Sequence, residues 1–161
     1  MSTHKHWGVI DTPFGPLAAA IDGAGALTHL GFSPPEHERI AREGGARDDA
    51  RMAPVARQLA EYFAGMRRSF DLPLAAEGTD FQKEVWRELL AIPFGQTTTY
   101  GALAAKLGRP AASRAVGRAN ATNPIALIVP CHRVIGRDGT LTGYAGGLPI
   151  KEKLLALEGA R

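Results

Sequence analysis

The chain has 161 residues, 45% of them hydrophobic and 22% charged, with 19 Lys+Arg against 16 Asp+Glu for a formal net charge of +3. This length supports one good core or two small ones. The lack of a long apolar run or apolar leader argues against a membrane span or secretion, so a soluble, cytoplasmic protein is expected. Its single cysteine, Cys131, excludes an intramolecular disulfide and a cysteine-rich zinc site, and a reactive thiol keeps best in a reducing compartment.

The apolar segments Trp7 to Ile10, Leu17 to Ile21 and Leu27 to Phe32 are separated by Pro/Gly-rich turns and read as a β-meander. His4 and His6 read as part of a flexible polar N-terminus, and no metal is expected there. Glu36 to Arg51 is charged and reads as a partly helical, exposed connection. Pro54 to Met66 places Val55, Leu59, Tyr62, Phe63 and Met66 on one helical face, which would cover the sheet. Phe70 to Leu74 offers one more strand. Ala75 to Gly78 then marks a boundary between an N-terminal domain, residues 1–78, and a C-terminal domain, residues 79–161.

Thr79 or Asp80 can cap a helix carrying Phe81, Val85, Trp86, Leu89 and Ile92. A short helix from Tyr100 to Leu107 follows. Gly108-Arg109-Pro110 turns into a second helix, expected to start at Pro110 and run to about Ala121. Two short helices around a glycine turn suggest a helix-turn-helix, although many helical cores contain such a pair. In the second helix Ala111, Ala112, Ala115, Gly117, Ala119 and Ala121 are small, while Arg114 and Arg118 lie four apart on one face. Such a helix can approach a surface closely, or pack tightly in a core. The chain finishes with an amphipathic helix, Leu148 to Leu157, ending at Glu158.

Charge divides unevenly. Residues 1–78 carry 8 basic and 10 acidic side chains, whereas residues 79–161 carry 11 and 6. Between Glu88 and Asp138 every charged residue is basic. A one-signed stretch of this kind around a reactive centre points to a polyanionic partner, with nucleic acid foremost.

Cys131 follows the apolar run Ile125 to Val129, which is short and β-branched and therefore expected to be extended and interior. Pro130 ends it. His132 and Arg133 then give the thiol a cationic neighbourhood at the mouth of the site, favouring a thiolate that a free cysteine with a pKa of about 8.5 forms only sparingly at neutral pH.

Asn123-Pro124 upstream, Pro130-Cys131-His132-Arg133-Val134, and Gly143-Tyr144-Ala145-Gly146-Gly147-Leu148 downstream resemble the active-site signature of the O6-alkylguanine-DNA alkyltransferases (methylated-DNA:protein-cysteine methyltransferases). The resemblance runs from about Thr79 to Glu158. It implies an α/β two-domain protein: an N-terminal ribonuclease-H-like small sheet plus helix, and a mostly helical, winged-helix-like C-terminal domain with a helix-turn-helix. It implies Cys131 as the alkyl acceptor, His132 as the base acting through a water, Glu158 as the group orienting His132, and Asn123 as the brace of the active-site turn. Double-stranded DNA would be met through its minor groove by Arg114, Ala115, Arg118, Ala121 and Arg133. Tyr100 would help rotate the nucleotide out, and Arg114 would fill the gap. Val134, Tyr144, Ala145, Gly146 and Lys151 would form the base pocket. The reaction implied is irreversible, stoichiometric transfer from O6-alkylguanine, with O4-alkylthymine a further candidate substrate, by a monomer needing no cofactor. Some relatives carry a second arginine where this chain has Ala121 and a bulky residue where it has Asn120. Two other readings stand beside this one: a cysteine hydrolase using Cys131 and His132, and a DNA-binding regulator using the helix pair alone.

Overall fold

Leu17, Ala18, Ala19 and Ala20 have no exposed surface, so the sheet they belong to is covered on both faces. The computed structural model describes residues 4–161, whose two compact units divide between Glu77 and Gly78.

In the first unit, β1 (His6–Ile10), β2 (Leu17–Ile21) and β3 (Leu27–Phe32) form the antiparallel meander the turns predict. α1 (Pro35–Glu43) follows, and β4 (Ala46–Arg47) then adds parallel to β1, giving the order β3-β2-β1-β4. One face carries Trp7, Ala18 and Ala20, which pack with Ile40 of α1. The opposite face meets the turn Asp49–Met52: a Cβ on Gly8 would fall 2.8 Å from Met52 Cγ, so only glycine lets the turn approach so closely. α2 (Ala53–Phe63) continues from that turn and contacts it, burying Val55, Leu59 and Tyr62.

Three expectations are corrected here. The stretch Glu36 to Arg51 is no mere exposed connection, since it supplies α1, β4 and the turn under the sheet. The helix expected to reach Met66 stops at Phe63; Gly65 turns the chain with φ +77° and leaves Met66 79% exposed. The expected strand Phe70 to Leu74 reduces to one bridge between Leu27 and Leu74, because Pro73 can accept from Leu27 N–H (2.8 Å) but has no N–H to extend a ladder.

In the second unit, α3 (Asp80–Leu90) starts from a capping box in which Thr79 and Gln82 satisfy each other's backbone N–H. Trp86 packs inward and its Nε1 donates to Ala119 O at 2.8 Å, tying α3 to the helix that carries Ala119. β5 (Thr98–Thr99) leads into α4 (Tyr100–Lys106), capped by the Thr99 side chain, and α5 (Ser113–Ala121) packs against α4. The second helix begins three residues later than expected. Gly108, at φ +74°, ends α4, and Arg109 to Ala112 form a hydrogen-bonded turn with Pro110 in its second position, which delays the first helical residue to Ser113. β6 (Val134–Ile135) pairs parallel with β5, and α6 (Leu148–Leu157) closes the unit with Leu154 and Leu155 buried. No helix among the described residues is long and apolar enough to cross a membrane.

Candidate active site

The run before Cys131 is buried as expected but not extended. Ala126 to Val129 wind through successive turns, with Ile128 N–H donating to Ala126 O (2.8 Å) and Val129 N–H to Ile125 O (3.1 Å). Leu127 adopts φ +72°, a conformation that costs a non-glycine residue roughly 1–2 kcal/mol. Asn123 holds this coil closed: its Oδ1 accepts from Ile125 N–H (3.0 Å) and its Nδ2 donates to Val129 O (2.8 Å). The Asn123 side chain thus makes two hydrogen bonds across the turn that leads to Cys131. Pro130 then opens a single 3-10 turn, Cys131–Arg133, that delivers the thiol.

Cys131 borders a cavity of about 460 Å³, lined also by Tyr100, Gly117, Asn120, Ala121, Asn123, Ala126 and the loop Thr142 to Ala145. Of the residues expected to act here, Tyr100, Ala121, Asn123, Cys131, Tyr144 and Ala145 face this space. Tyr100 reaches the loop directly, its hydroxyl 2.8 Å from Thr142 Oγ1. Asn120 Nδ2 donates weakly to Cys131 O at 3.5 Å, while its buried Oδ1 meets no protein partner.

Behind the thiol lies a buried polar chain. His132 Nε2 is 2.8 Å from Glu158 Oε2, and both side chains are wholly inaccessible. Arg133 grips the same carboxylate in bidentate fashion, Nε to Oε1 at 2.8 Å and Nη2 to Oε2 at 3.0 Å, and donates Nη1 to Ile92 O at 2.7 Å. A neutral His132 therefore gives its Nε2 proton to Glu158, which leaves Nδ1, a buried atom with no protein partner, as the basic nitrogen.

Several expectations change at this point. Arg133, expected on the DNA-facing surface at the mouth of the site, is buried and spent on Glu158 and Ile92; an interior carboxylate beside a histidine needs a permanent cation more than the surface does. Lys151, expected at the pocket wall, is fully buried behind it, donating Nζ to Val134 O (2.6 Å) and Thr142 O (2.8 Å). Val134, in β6, is likewise behind the wall, and the loop portion that lines the cavity stops at Ala145, short of Gly146.

The expected thiolate is also reversed. Burial pushes the Cys131 thiol above its ordinary value of 9.0, outweighing the Asn123 hydrogen bond, the Lys151 charge and the backbone N–H groups that pull it down. Burial likewise holds His132 below 6.5 despite Glu158, with Arg133 and Lys151 pushing the same way as burial. The resting pair is thiol and neutral imidazole.

On α5, Arg114 and Arg118 are exposed, Ala115 is partly covered, and Ala121 is exposed at the cavity rim. The charged face thus continues onto the edge of the pocket. Sequence reasoning overlooked Thr142 as the partner of Tyr100 and the carbonyl of Ile92 as a third anchor of Arg133. The first stands immediately before the Gly143 to Leu148 stretch of the motif; the second is a backbone atom with no side-chain signal.

Both units have counterparts among known proteins. Residues 5–76 match the family model for the ribonuclease-like domain of 6-O-methylguanine DNA methyltransferase, and residues 80–160 that for its DNA binding domain. A methylated-DNA–protein-cysteine methyltransferase of Methanosarcina acetivorans is 49% identical over 155 residues, covering 96% of this chain and 99% of its own. One of Mycobacterium bovis is 48% identical over 156 residues, covering 97% and 93%. The crystal structure of Mycobacterium tuberculosis O6-methylguanine methyltransferase matches with a TM-score of 0.86 at 47% identity, covering 97% of this chain and 93% of that one. The Mycobacterium tuberculosis protein in complex with DNA matches at 0.88 with 47% identity, covering 96% and 93%. With both halves matched and identity near one half along nearly the whole chain, the protein belongs to the 6-O-methylguanine DNA methyltransferase family.

Proposed function

We propose that this protein repairs DNA by moving the alkyl group of an O6-alkylguanine onto Cys131 Sγ, once per molecule, through residues of its second unit. The observation that carries the reading is the cysteine at a cavity of about 460 Å³, backed by a buried His132–Glu158–Arg133 chain and rimmed by the arginine-bearing helix α5. The volume is of ligand-pocket size, and the small residues at its border admit a flat ring.

In the resting state the thiol is protected by its own protonation. His132 Nδ1, set by Glu158 on the opposite nitrogen, accepts the thiol proton, directly or through a water. Glu158 and Asn123 then favour the resulting imidazolium and thiolate. Sγ attacks the alkyl carbon in line: the S–C bond forms, the C–O6 bond breaks, and its electron pair passes to the base. A proton taken up by the base restores guanine. The thioether has no hydrolytic route back to the thiol, so the protein is consumed.

DNA would dock along α5 through the minor groove, with Arg114 taking the place of the extruded nucleotide, Arg118 contacting phosphate, and the small Ala115 and Ala121 allowing close approach. Tyr100 would bear on the base as it turns. The reading is of a cytoplasmic monomer. Intact-mass measurement after incubation with an O6-methylguanine oligonucleotide tests it: a gain of one methyl group per chain, on Cys131 and absent in Cys131→Ser, is the expected result. Repeated turnover of an acyl or peptide substrate would favour a hydrolase instead, and binding without mass gain a regulator.

A further inference from the structure

Among the polar side chains lining the cavity beside Cys131, Asn123 is committed at both ends to the coil before Pro130, and Asn120 directs its Nδ2 to Cys131 O. Tyr100 and Thr142 are placed differently. Their hydroxyls meet each other at 2.8 Å, and either can be the donor. We propose that Thr142 is a positioning residue for alkyl transfer: its hydroxyl donates to the Tyr100 oxygen and so turns the phenolic proton into the cavity, towards a ring nitrogen of the departing base. This role rests on the O6-alkylguanine reading given above.

Both residues are held from behind. Tyr100 is the first residue of α4, whose start is capped by the Thr99 side chain. Its ring lies beside α5, where a Cβ added to Gly117 would be 3.8 Å from Tyr100 Cδ1. The backbone of Thr142 is anchored by the buried Lys151, whose Nζ donates to Thr142 O at 2.8 Å and to Val134 O at 2.6 Å. Two fixed supports, 42 residues apart in the chain, thus present two hydroxyls to each other. Only rotation about the C–O bonds is left to set which one donates.

The chemistry of the base makes that choice. The pyrimidine ring of an O6-alkylguanine offers nitrogen lone pairs, and as the C–O6 bond breaks its electron pair spreads from O6 onto those nitrogens. A hydrogen bond to them strengthens as the reaction proceeds, and an interaction of that kind lowers the barrier. A phenol is a better donor than an aliphatic hydroxyl, because its oxygen shares charge with the ring, so Tyr100 takes the place next to the base. Thr142 then gives its own proton to the phenolic oxygen. In the sequence Thr142 O–H, Tyr100 O–H, ring nitrogen, each bond polarises the next. The bond changes are those of the proposed transfer; Tyr100 supplies a hydrogen bond and keeps its proton.

The test compares two alkylations of Cys131 in the full chain, both followed by intact mass. One uses free O6-methylguanine base, which needs no extrusion from a stack. The other uses iodoacetamide, whose iodide leaves without help from a donor. Thr142→Val keeps the shape of the side chain and should slow methyl transfer about tenfold, less than the roughly 10²–10³ lost with a direct donor. The iodoacetamide rate should stay within about twofold, and Thr142→Ser, which keeps the hydroxyl, should hold methyl transfer within about threefold of wild type. In Tyr100→Phe, adding Thr142→Val should cost nothing more, since the partner through which it acts is gone. Wild-type transfer rates in Thr142→Val, an equal loss with iodoacetamide, a serine variant as slow as valine, or an undiminished valine effect in Tyr100→Phe would each overturn this role alone. A wild type that takes no methyl group from the base or from an O6-methylguanine oligonucleotide would overturn the proposed function and this role with it.

Discussion

Glu158 and His132 are joined by a 2.8 Å hydrogen bond in which neither side chain is accessible, and the same carboxylate is held on its other side by Arg133. One anion thus fixes the histidine tautomer and neutralises a buried guanidinium. These two roles predict separable losses.

Glu158→Gln should slow alkyl transfer, because the imidazolium that receives the thiol proton loses its counter-charge. It should also destabilise the protein by about 3–5 kcal/mol, because Arg133 becomes an uncompensated buried cation. Adding Arg133→Met to Glu158→Gln should recover much of the stability without recovering the rate. Urea unfolding beside single-turnover kinetics checks both, and a full kinetic recovery in the double variant would remove Glu158 from the proton path.

Two buried titrating groups of the site, His132 and Cys131, each contribute to the pH dependence of stability. His132 has its pKa lowered, so below about pH 6.5 the unfolded chain takes up a proton that the folded protein refuses, and stability falls with falling pH. Cys131 has its pKa raised, so above pH 9.0 the unfolded thiol ionises first and stability falls with rising pH. Unfolding free energy should peak between these limits, and Cys131→Ser should lose part of the alkaline decline. Alkylation of Cys131 by a small iodoacetamide-type reagent should rise with pH later than that of a free cysteine.

Lys151→Met tests the wall of the pocket. The methionine fills the same space but leaves the carbonyls of Val134 and Thr142 without their donor, a cost of about 1–3 kcal/mol. Thr142 is also the partner of Tyr100, so the loop Thr142 to Ala145 should exchange its amide hydrogens faster and transfer should slow on every substrate. Hydrogen exchange and rates on free base measure the two effects. Unchanged exchange in that loop would contradict the assignment.

Arg114→Ala should slow repair of duplex DNA far more than reaction with free O6-alkylguanine base. Arg114 is exposed on α5, outside the cavity lining, and extrusion costs a few kcal/mol that an inserted side chain offsets. The salt dependence of binding should change by about one phosphate contact at most. Tyr100→Phe should show the same bias more weakly and should also loosen the loop through the lost contact with Thr142. Equal slowing on duplex and free base would place Arg114 in support of the fold.

Much of this protein was legible in the chain because its signals are local. The meander is written in apolar runs between Pro/Gly turns, and α3 in the Thr79/Gln82 capping box beneath a periodic apolar face. The chemistry is concentrated in the Pro130 to Val134 motif. Sequence alone named Cys131, His132, Glu158 and Asn123 through family resemblance, since a lone carboxylate at a helix end carries no such message. What only the tertiary structure decided was environment. Arg133 looks like a cation for the thiol or for DNA until its partner 25 residues away, Glu158, comes into contact with it. The Cys131 pKa moves up instead of down because burial outweighs neighbouring donors and charge, and burial is a property of the whole fold. The same holds for His4, read as part of a flexible polar terminus but buried against Gly44 and Gly45. Local sequence sets which groups are present and how the chain turns around them. Long-range packing sets the dielectric and the partners, and with them the protonation state on which the chemistry depends.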